Sequence, residues 1–201
     1  MDEIVLAVIA YLFGAVPFGL LIAKSQGIDI RNEGSGNIGA TNVFRVVGKE
    51  WGITTFVLDA LKGFIPAYFF PIIGNVDPVY GVLFGFAAIV GHSFPVYLNF
   101  KGGKGVATSA GMLLGVAPLA VGVGFLTWII CMVVSRYVSV SSMVAAVAVA
   151  ATVWIRGDKA LVVNIALSVL AILVIWLHRD NIKRLLNGTE TRLGKKKESA
   201  S

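Results

Sequence analysis

Cysteine, histidine and charge are all scarce in this chain of 201 residues, and each scarcity removes a class of function. There is one cysteine and there are two histidines. Cys131, alone in an apolar run, excludes an internal disulfide and any multi-cysteine metal site. No His, Cys, Asp or Glu cluster stands at metal-ligand spacing. There is no G-x-S-x-G elbow and no HxxxxD acyltransferase box, since His92 is followed by "SFPVY" and His178 by "RDNIK". Charged residues make up 14% of the chain against 57% hydrophobic, and they gather between long apolar runs instead of along helix faces. That pattern excludes a soluble bundle with a polar skin and defines an all-α integral membrane protein.

Apolar runs are what the chain has in abundance. They cover Ile4–Ala23, Trp51–Ile73, Val79–Leu98, Val106–Ala117, Leu119–Val134, Val140–Ile155 and Ala160–Leu177, which predicts seven transmembrane helices. The first run follows an acidic "MDE" and has no A-x-A-like site after it, so it reads as a retained helix and not a signal peptide. The fourth and fifth runs meet at Pro118 and could form one kinked helix. Charge decides the count. With seven spans, Lys24, Arg31, Arg45, Lys49, Lys101, Lys104, Arg136, Arg179, Lys183, Arg184, Arg192 and Lys195–Lys197 share one side, leaving Arg156 and Lys159 on the other. The positive-inside rule then puts the N-terminus outside and the C-terminus in the cytoplasm. The fourth helix is short: a dozen residues rise only about 18 Å against a hydrocarbon core of about 30 Å. Residues 1–192 read as one membrane domain and 193–201 as a solvated basic tail.

Four polar segments share the inferred cytoplasmic side: "RNEGSGNIGATNVFRVVGKE" from Arg31, "GHSFPVYLNFKGGKGVATS" from Gly91, "SRYVSVSS" from Ser135 and "HRDNIKRLLNGTE" from His178. In the first, Gly34 and Gly36 permit positive φ and close backbone approach, while Ser35, Asn37, Thr41 and Asn42 supply neutral hydrogen-bonding groups. Arg45 follows at helical spacing from Thr41 and Asn42, which makes an anion site the preferred reading over a flexible turn. In the second, Gly102, Gly103, Lys104 and Gly105 open the short helix, where free N–H groups and the helix dipole favour an anion. The nucleotide-binding pattern G-x-x-x-x-G-K-[ST] is not met, because Lys104 is followed by Gly105. His92 reads equally as a histidine hydrogen-bonded between helices. His178, with Asn181 at i+3 and Arg184 at i+6, opens a polar run. Ser139 and Ser142 read as site hydroxyls or simple caps, and Asp59 with Lys62 as a buried pair or part of a site. Such a cation- and donor-rich inventory binds phosphates and stabilises oxyanions.

Together these segments, in order and over nearly the whole chain, resemble the integral-membrane acyl-phosphate:glycerol-3-phosphate acyltransferases of bacterial phospholipid synthesis. The resemblance implies transfer of a fatty acyl group from acyl phosphate to the 1-hydroxyl of glycerol 3-phosphate, in the bacterial inner membrane, with no metal or organic cofactor. It implies two phosphate sites. Gly102–Gly105 with Lys104, and the Ser35–Asn42 loop, are expected to hold the acyl phosphate. Arg45, Lys104, Ser142, His178 and Asn181 are expected to hold glycerol 3-phosphate, with His92 and Arg184 among the binding residues. The expected catalytic set is Ser35, Arg45, Lys104, His178 and Asn181, acting by direct transfer. Partners are the two substrates and membrane lipids, with no nucleic acid, and the chain is expected to be monomeric. The competing class, a transporter or channel for phosphorylated metabolites, requires polar groups along a path through the membrane; here, apart from Asp59 and Lys62, they collect on one side.

Overall fold

The computed structural model describes residues 2–193. The expected tail from residue 194 onward, with Lys195–Lys197, lies outside them. Regular structure among the described residues is helical throughout: α1 (Glu3–Gly14), α2 (Phe18–Ser25), α3 (Ala40–Val46), α4 (Lys49–Gly74), α5 (Tyr80–Ser93), a 3₁₀ turn (Val96–Leu98), α6 (Val106–Val116), α7 (Pro118–Ser135), α8 (Val138–Arg156), α9 (Leu161–Leu177) and α10 (Arg179–Leu186). Five segments are long and apolar enough to cross a membrane: Glu3–Ser25, Lys49–Gly74, Tyr80–Leu98, Pro118–Ser135 and Val138–Arg156. Taken as one span bent by 51°, α9 and α10 make a sixth. Helix α6 is apolar but shorter, as the spacing predicts.

The first run departs from the single helix expected over Ile4–Ala23. Pro17 has no N–H to continue the ladder, and the chain breaks there into α1 and α2. At the break the Val16 carbonyl accepts from the Phe18 N–H at 3.1 Å and from Lys62 Nζ at 2.8 Å, so a side chain from α4 helps satisfy a backbone group that lipid cannot. Pro118 works differently. It stands at the first position of α7, where its missing N–H costs nothing, and it separates α6 from α7 as expected.

Helix α4 is the hub, packed against α1, α2, α3, α5 and α6, while α7, α8 and α9 pack in succession beside them. Small residues set the α4–α6 crossing: a Cβ on Gly111 would run into the Ala60 carbonyl. Such close backbone approach drives helix association where lipid removes the hydrophobic gain. The main core joins Ile89, Met112, Val149, Leu167 and Val174, and a separate cluster of Leu20, Ala23, Ile30, Ile38 and Val43 lies under the first polar loop. Helix α7 buries only Ala120 and Gly124 and turns Leu126, Ile130 and Val133 outward, the surface of a helix solvated by lipid.

Candidate active site

The first polar loop is tied from within. Asn42 is buried; its Oδ1 accepts from the Ser35 N–H at 2.9 Å, and its Nδ2 donates to the carbonyls of Glu33 at 3.0 Å and Ile30 at 3.3 Å. Asn37 Oδ1 accepts from the Gly39 N–H at 2.8 Å, an Asx turn that starts α3. Gly34 and Gly36 adopt φ of +60° and +70°, and a Cβ at Gly34 would strike Asn42 Oδ1. Asn37 and Asn42 therefore shape the loop, while Ser35, Thr41 and Arg45 remain exposed around it.

The second loop folds back onto the end of α5. The Gly102 N–H donates to the Ser93 carbonyl at 3.1 Å and the Gly103 N–H to the His92 carbonyl at 3.0 Å. Both glycines are required by proximity: a Cβ on Gly102 would meet the His92 carbonyl, and one on Gly103 would meet His92 Nε2. Gly105, at φ +72°, caps α6. Lys104 thus leaves a tightly held backbone at the start of a short helix. Leu98, just upstream, packs against the apolar cluster beneath the first loop, which brings the two loops side by side.

The cluster closes through the C-terminal segment. Lys104 Nζ donates to Asn181 Oδ1. Asn181 Nδ2 donates to Glu190 Oε1 at 2.6 Å, Ser139 Oγ donates to the same oxygen at 2.7 Å, and Arg184 Nε donates to Glu190 Oε2 at 2.7 Å. After α10, Gly188 at φ +68° turns the chain, and Thr189 N–H returns to the Arg184 carbonyl at 2.8 Å, which brings Glu190 back. His178 stands between α9 and α10 with Nδ1 at 2.7 Å from the Val174 carbonyl. A carbonyl only accepts, so Nδ1 carries the proton and neutral His178 keeps a lone pair on Nε2.

The electrostatics match this geometry. Burial, reinforced by the Arg184 charge and opposed by Glu190 and Asp180, brings the Lys104 ammonium down to about 8. Burial alone would push the Glu190 carboxyl up, but the hydrogen bonds from Asn181, Ser139 and Arg184 hold it below its ordinary value. Burial pulls the Arg45 guanidinium down, the Glu190 charge opposes this and the Arg184 charge adds to it.

An apolar cavity of about 310 Å³ runs into the bundle beside this cluster. Phe56, Val106, Leu113, Trp128, Leu170 and Val174 are among its walls, and Ser142 is one of its two hydroxyls. Ser142 Oγ is turned to the Val138 carbonyl at 2.9 Å and accepts from Trp128 Nε1 at 3.3 Å, so it faces the cavity while Ser139, three residues earlier, joins the polar cluster.

Of the residues expected from sequence, Lys104, Asn181 and Arg184 are brought into one hydrogen-bonded chain, with Arg45 and His178 in its field. His92 lies under Gly103, with Nδ1 3.7 Å from Asp59 Oδ1 inside the bundle. Glu190 is the omission, and Ser139, which reads from sequence as a site hydroxyl or a cap, is the hydroxyl that joins it. The inventory holds no well-placed carboxylate until the turn at Gly188 is known; the signal was a single acidic residue just beyond Asn187-Gly188 in a basic segment.

The described residues form a multi-pass helical membrane protein with a cation-rich polar cluster set against an apolar cavity. The pattern of the family described as glycerol-3-phosphate acyltransferase matches residues 4–188, and the chain belongs to that family. It is 44% identical over 192 residues to the glycerol-3-phosphate acyltransferase of Geobacter sulfurreducens, covering 96% of this chain and 98% of that one. It is 43% identical over 192 residues to that of Aquifex aeolicus, covering 96% and 100%. The crystal structure of PlsY (YgiH), an integral membrane glycerol 3-phosphate acyltransferase, in its glycerol 3-phosphate form superposes with a TM-score of 0.90 at 42% identity over 96% of each chain. The lysophosphatidic acid form of PlsY gives 0.88 at 41% identity over the same shares.

Proposed function

We propose that the protein transfers a fatty acyl group from acyl phosphate to the 1-hydroxyl of glycerol 3-phosphate, giving 1-acyl-glycerol 3-phosphate and phosphate. The observation that carries this reading is the Lys104–Asn181–Glu190–Arg184 chain, with Arg45 in its field, beside an apolar cavity. Cations that hold phosphates meet a cavity that holds a hydrocarbon chain. The glycerol 3-phosphate and lysophosphatidic acid forms of PlsY support the same assignment of substrate and product.

The glycerol O1 attacks the acyl carbonyl, the carbonyl carbon's bond to the phosphate oxygen breaks, and phosphate departs with that electron pair. Lys104 and Arg45 balance the charge of both phosphates, and the N–H groups at the start of α6 face the anhydride. Phosphate is already a good leaving group, so positioning and charge stabilisation supply most of the acceleration. The hydroxyl proton passes to His178 Nε2 or to an oxygen of the leaving phosphate; full turnover by His178→Ala assigns it to the phosphate. Ser35 donates to the acyl phosphate and forms no acyl-enzyme. The apolar surface and the charge bias favour seven spans in the bacterial inner membrane, N-terminus outside, with α6 as the short one and the site facing the cytoplasm.

Purified protein in detergent, given acyl phosphate and labelled glycerol 3-phosphate, tests the reading. Labelled lysophospholipid with equimolar phosphate is expected. Uptake of label into vesicles with no lipid product would establish a transporter instead.

A further inference from the structure

Asp59 and Lys62 are 2% and 1% exposed, and they sit on α4 inside the bundle. A lone charge there is costly, and the pair is connected well beyond mutual neutralisation. Lys62 Nζ lies 2.8 Å from Asp59 Oδ1, donates to the Val16 carbonyl at the α1–α2 break at 2.8 Å, and stands 5.5 Å from the Phe18 ring centroid at the start of α2. On the other side, Asp59 Oδ1 faces His92 Nδ1 at 3.7 Å. The far edge of the His92 ring, Nε2, abuts Gly103, whose N–H is bonded to the His92 carbonyl. One cluster therefore touches the segment that leads into the first glycine loop and the backbone of the second.

We infer that Asp59, Lys62 and His92 are positioning residues: the buried triad orients the His92 ring as a backstop for Gly102–Gly103 and so fixes where Lys104 meets Asn181. This rests on the reading of Lys104 as the cation that holds substrate phosphate. None of the three need touch a substrate. Asp59 sets which edge of the imidazole faces the loop, and Lys62 neutralises Asp59 while holding the broken first span against α4. A buried pair with no such role is replaceable by apolar residues of similar size without loss. A pair that orients His92 is not.

Two measurements separate these cases. The first is the KM for glycerol 3-phosphate, read against kcat in purified Asp59→Leu/Lys62→Met, Asp59→Asn/Lys62→Met and His92→Ala, each with its thermal melting curve. Asp59→Leu/Lys62→Met and His92→Ala are expected to raise KM about tenfold, the size of one ordinary hydrogen bond lost when Lys104 is displaced, with kcat changed far less. Asp59→Asn/Lys62→Met, which keeps a polar oxygen of the same shape facing the His92 ring, is expected to recover most of that loss at similar melting temperature. The second readout needs no activity. A nitroxide on Lys101→Cys, in a Cys131→Ala background, is expected to become more mobile in Asp59→Leu/Lys62→Met than in Asp59→Asn/Lys62→Met. Equal KM values and equal label mobility in those two double variants would overturn the inference. Absence of acyl transfer by the parent protein, with the mobility difference intact, would overturn the functional reading alone.

Discussion

Lys104 and Asn181, separated by 77 positions in the chain, are joined side chain to side chain. The amide that holds the ammonium also donates to Glu190, so one asparagine links the loop before α6 to the turn after α10. Orientation of Lys104 depends on both ends of that link.

Removing the cation is expected to cost most. Lys104→Ala should lower kcat/KM on the order of 10² to 10³, the range seen when one preorganised charge-stabilising donor is lost. Asn181→Ala should give a smaller loss with the same substrate dependence. Steady-state kinetics with saturating acyl phosphate check this, and near-normal turnover by Lys104→Ala would remove it from the site.

The pH profile follows from the same side chain. Lys104 titrates near 8, so it is charged and able to hold phosphate below that pH and neutral above it. The kcat/KM, which reports the free enzyme, should therefore fall on the alkaline side with a limb near pH 8. Lys104→Arg, whose guanidinium keeps its charge, should push that limb out of range even if its maximum is lower. An unmoved limb would assign the titration elsewhere.

Glu190 gathers three donors, and its replacement should show it. Glu190→Gln puts an amide N–H against Arg184 and should lower both the melting temperature and kcat/KM. Ser139→Ala removes one of those hydrogen bonds, worth about 1.5–3 kcal/mol at a charged acceptor, and should lower the melting temperature by less. Equal stabilities for Glu190→Gln and the parent would show that the carboxylate is not the organising group.

The cavity makes a prediction about the donor. Ala145 lines it, and Ala145→Phe fills space that the acyl chain would occupy. Activity with long-chain acyl phosphates should fall while activity with short-chain ones is retained. A uniform loss across chain lengths would mean that the chain lies elsewhere.

The apolar runs, the short α6 and the break at Pro118 were legible because hydropathy and proline act locally. The two glycine loops and the candidate residues Arg45, Lys104, His178 and Asn181 could be singled out from sequence because residue type and order carry chemistry. The split of the first run was less legible: nothing near Pro17 announces that Lys62, 45 residues later, will help satisfy the Val16 carbonyl. Glu190 and its contact with Ser139 escaped for the same reason, since their meeting depends on how α10 turns back and on how α8 lies beside it. Asn42 reads as a site group by type, yet burial commits its amide to the loop's own backbone. Partners across the fold are set by tertiary packing, which spacing along the chain does not encode.

The cavity wall includes Phe56 and Phe125, which are also exposed on the apolar outside of the bundle. An opening of that kind meets the bilayer, not the water. On the proposed reading the two substrates are then counted in different units, one per litre of water and the other per unit area of membrane. Diluting the vesicle suspension would leave the donor supply to each molecule unchanged, whereas adding inert lipid at constant bulk concentration would slow it. Its apparent affinity for donor is a property of the surface in which it sits.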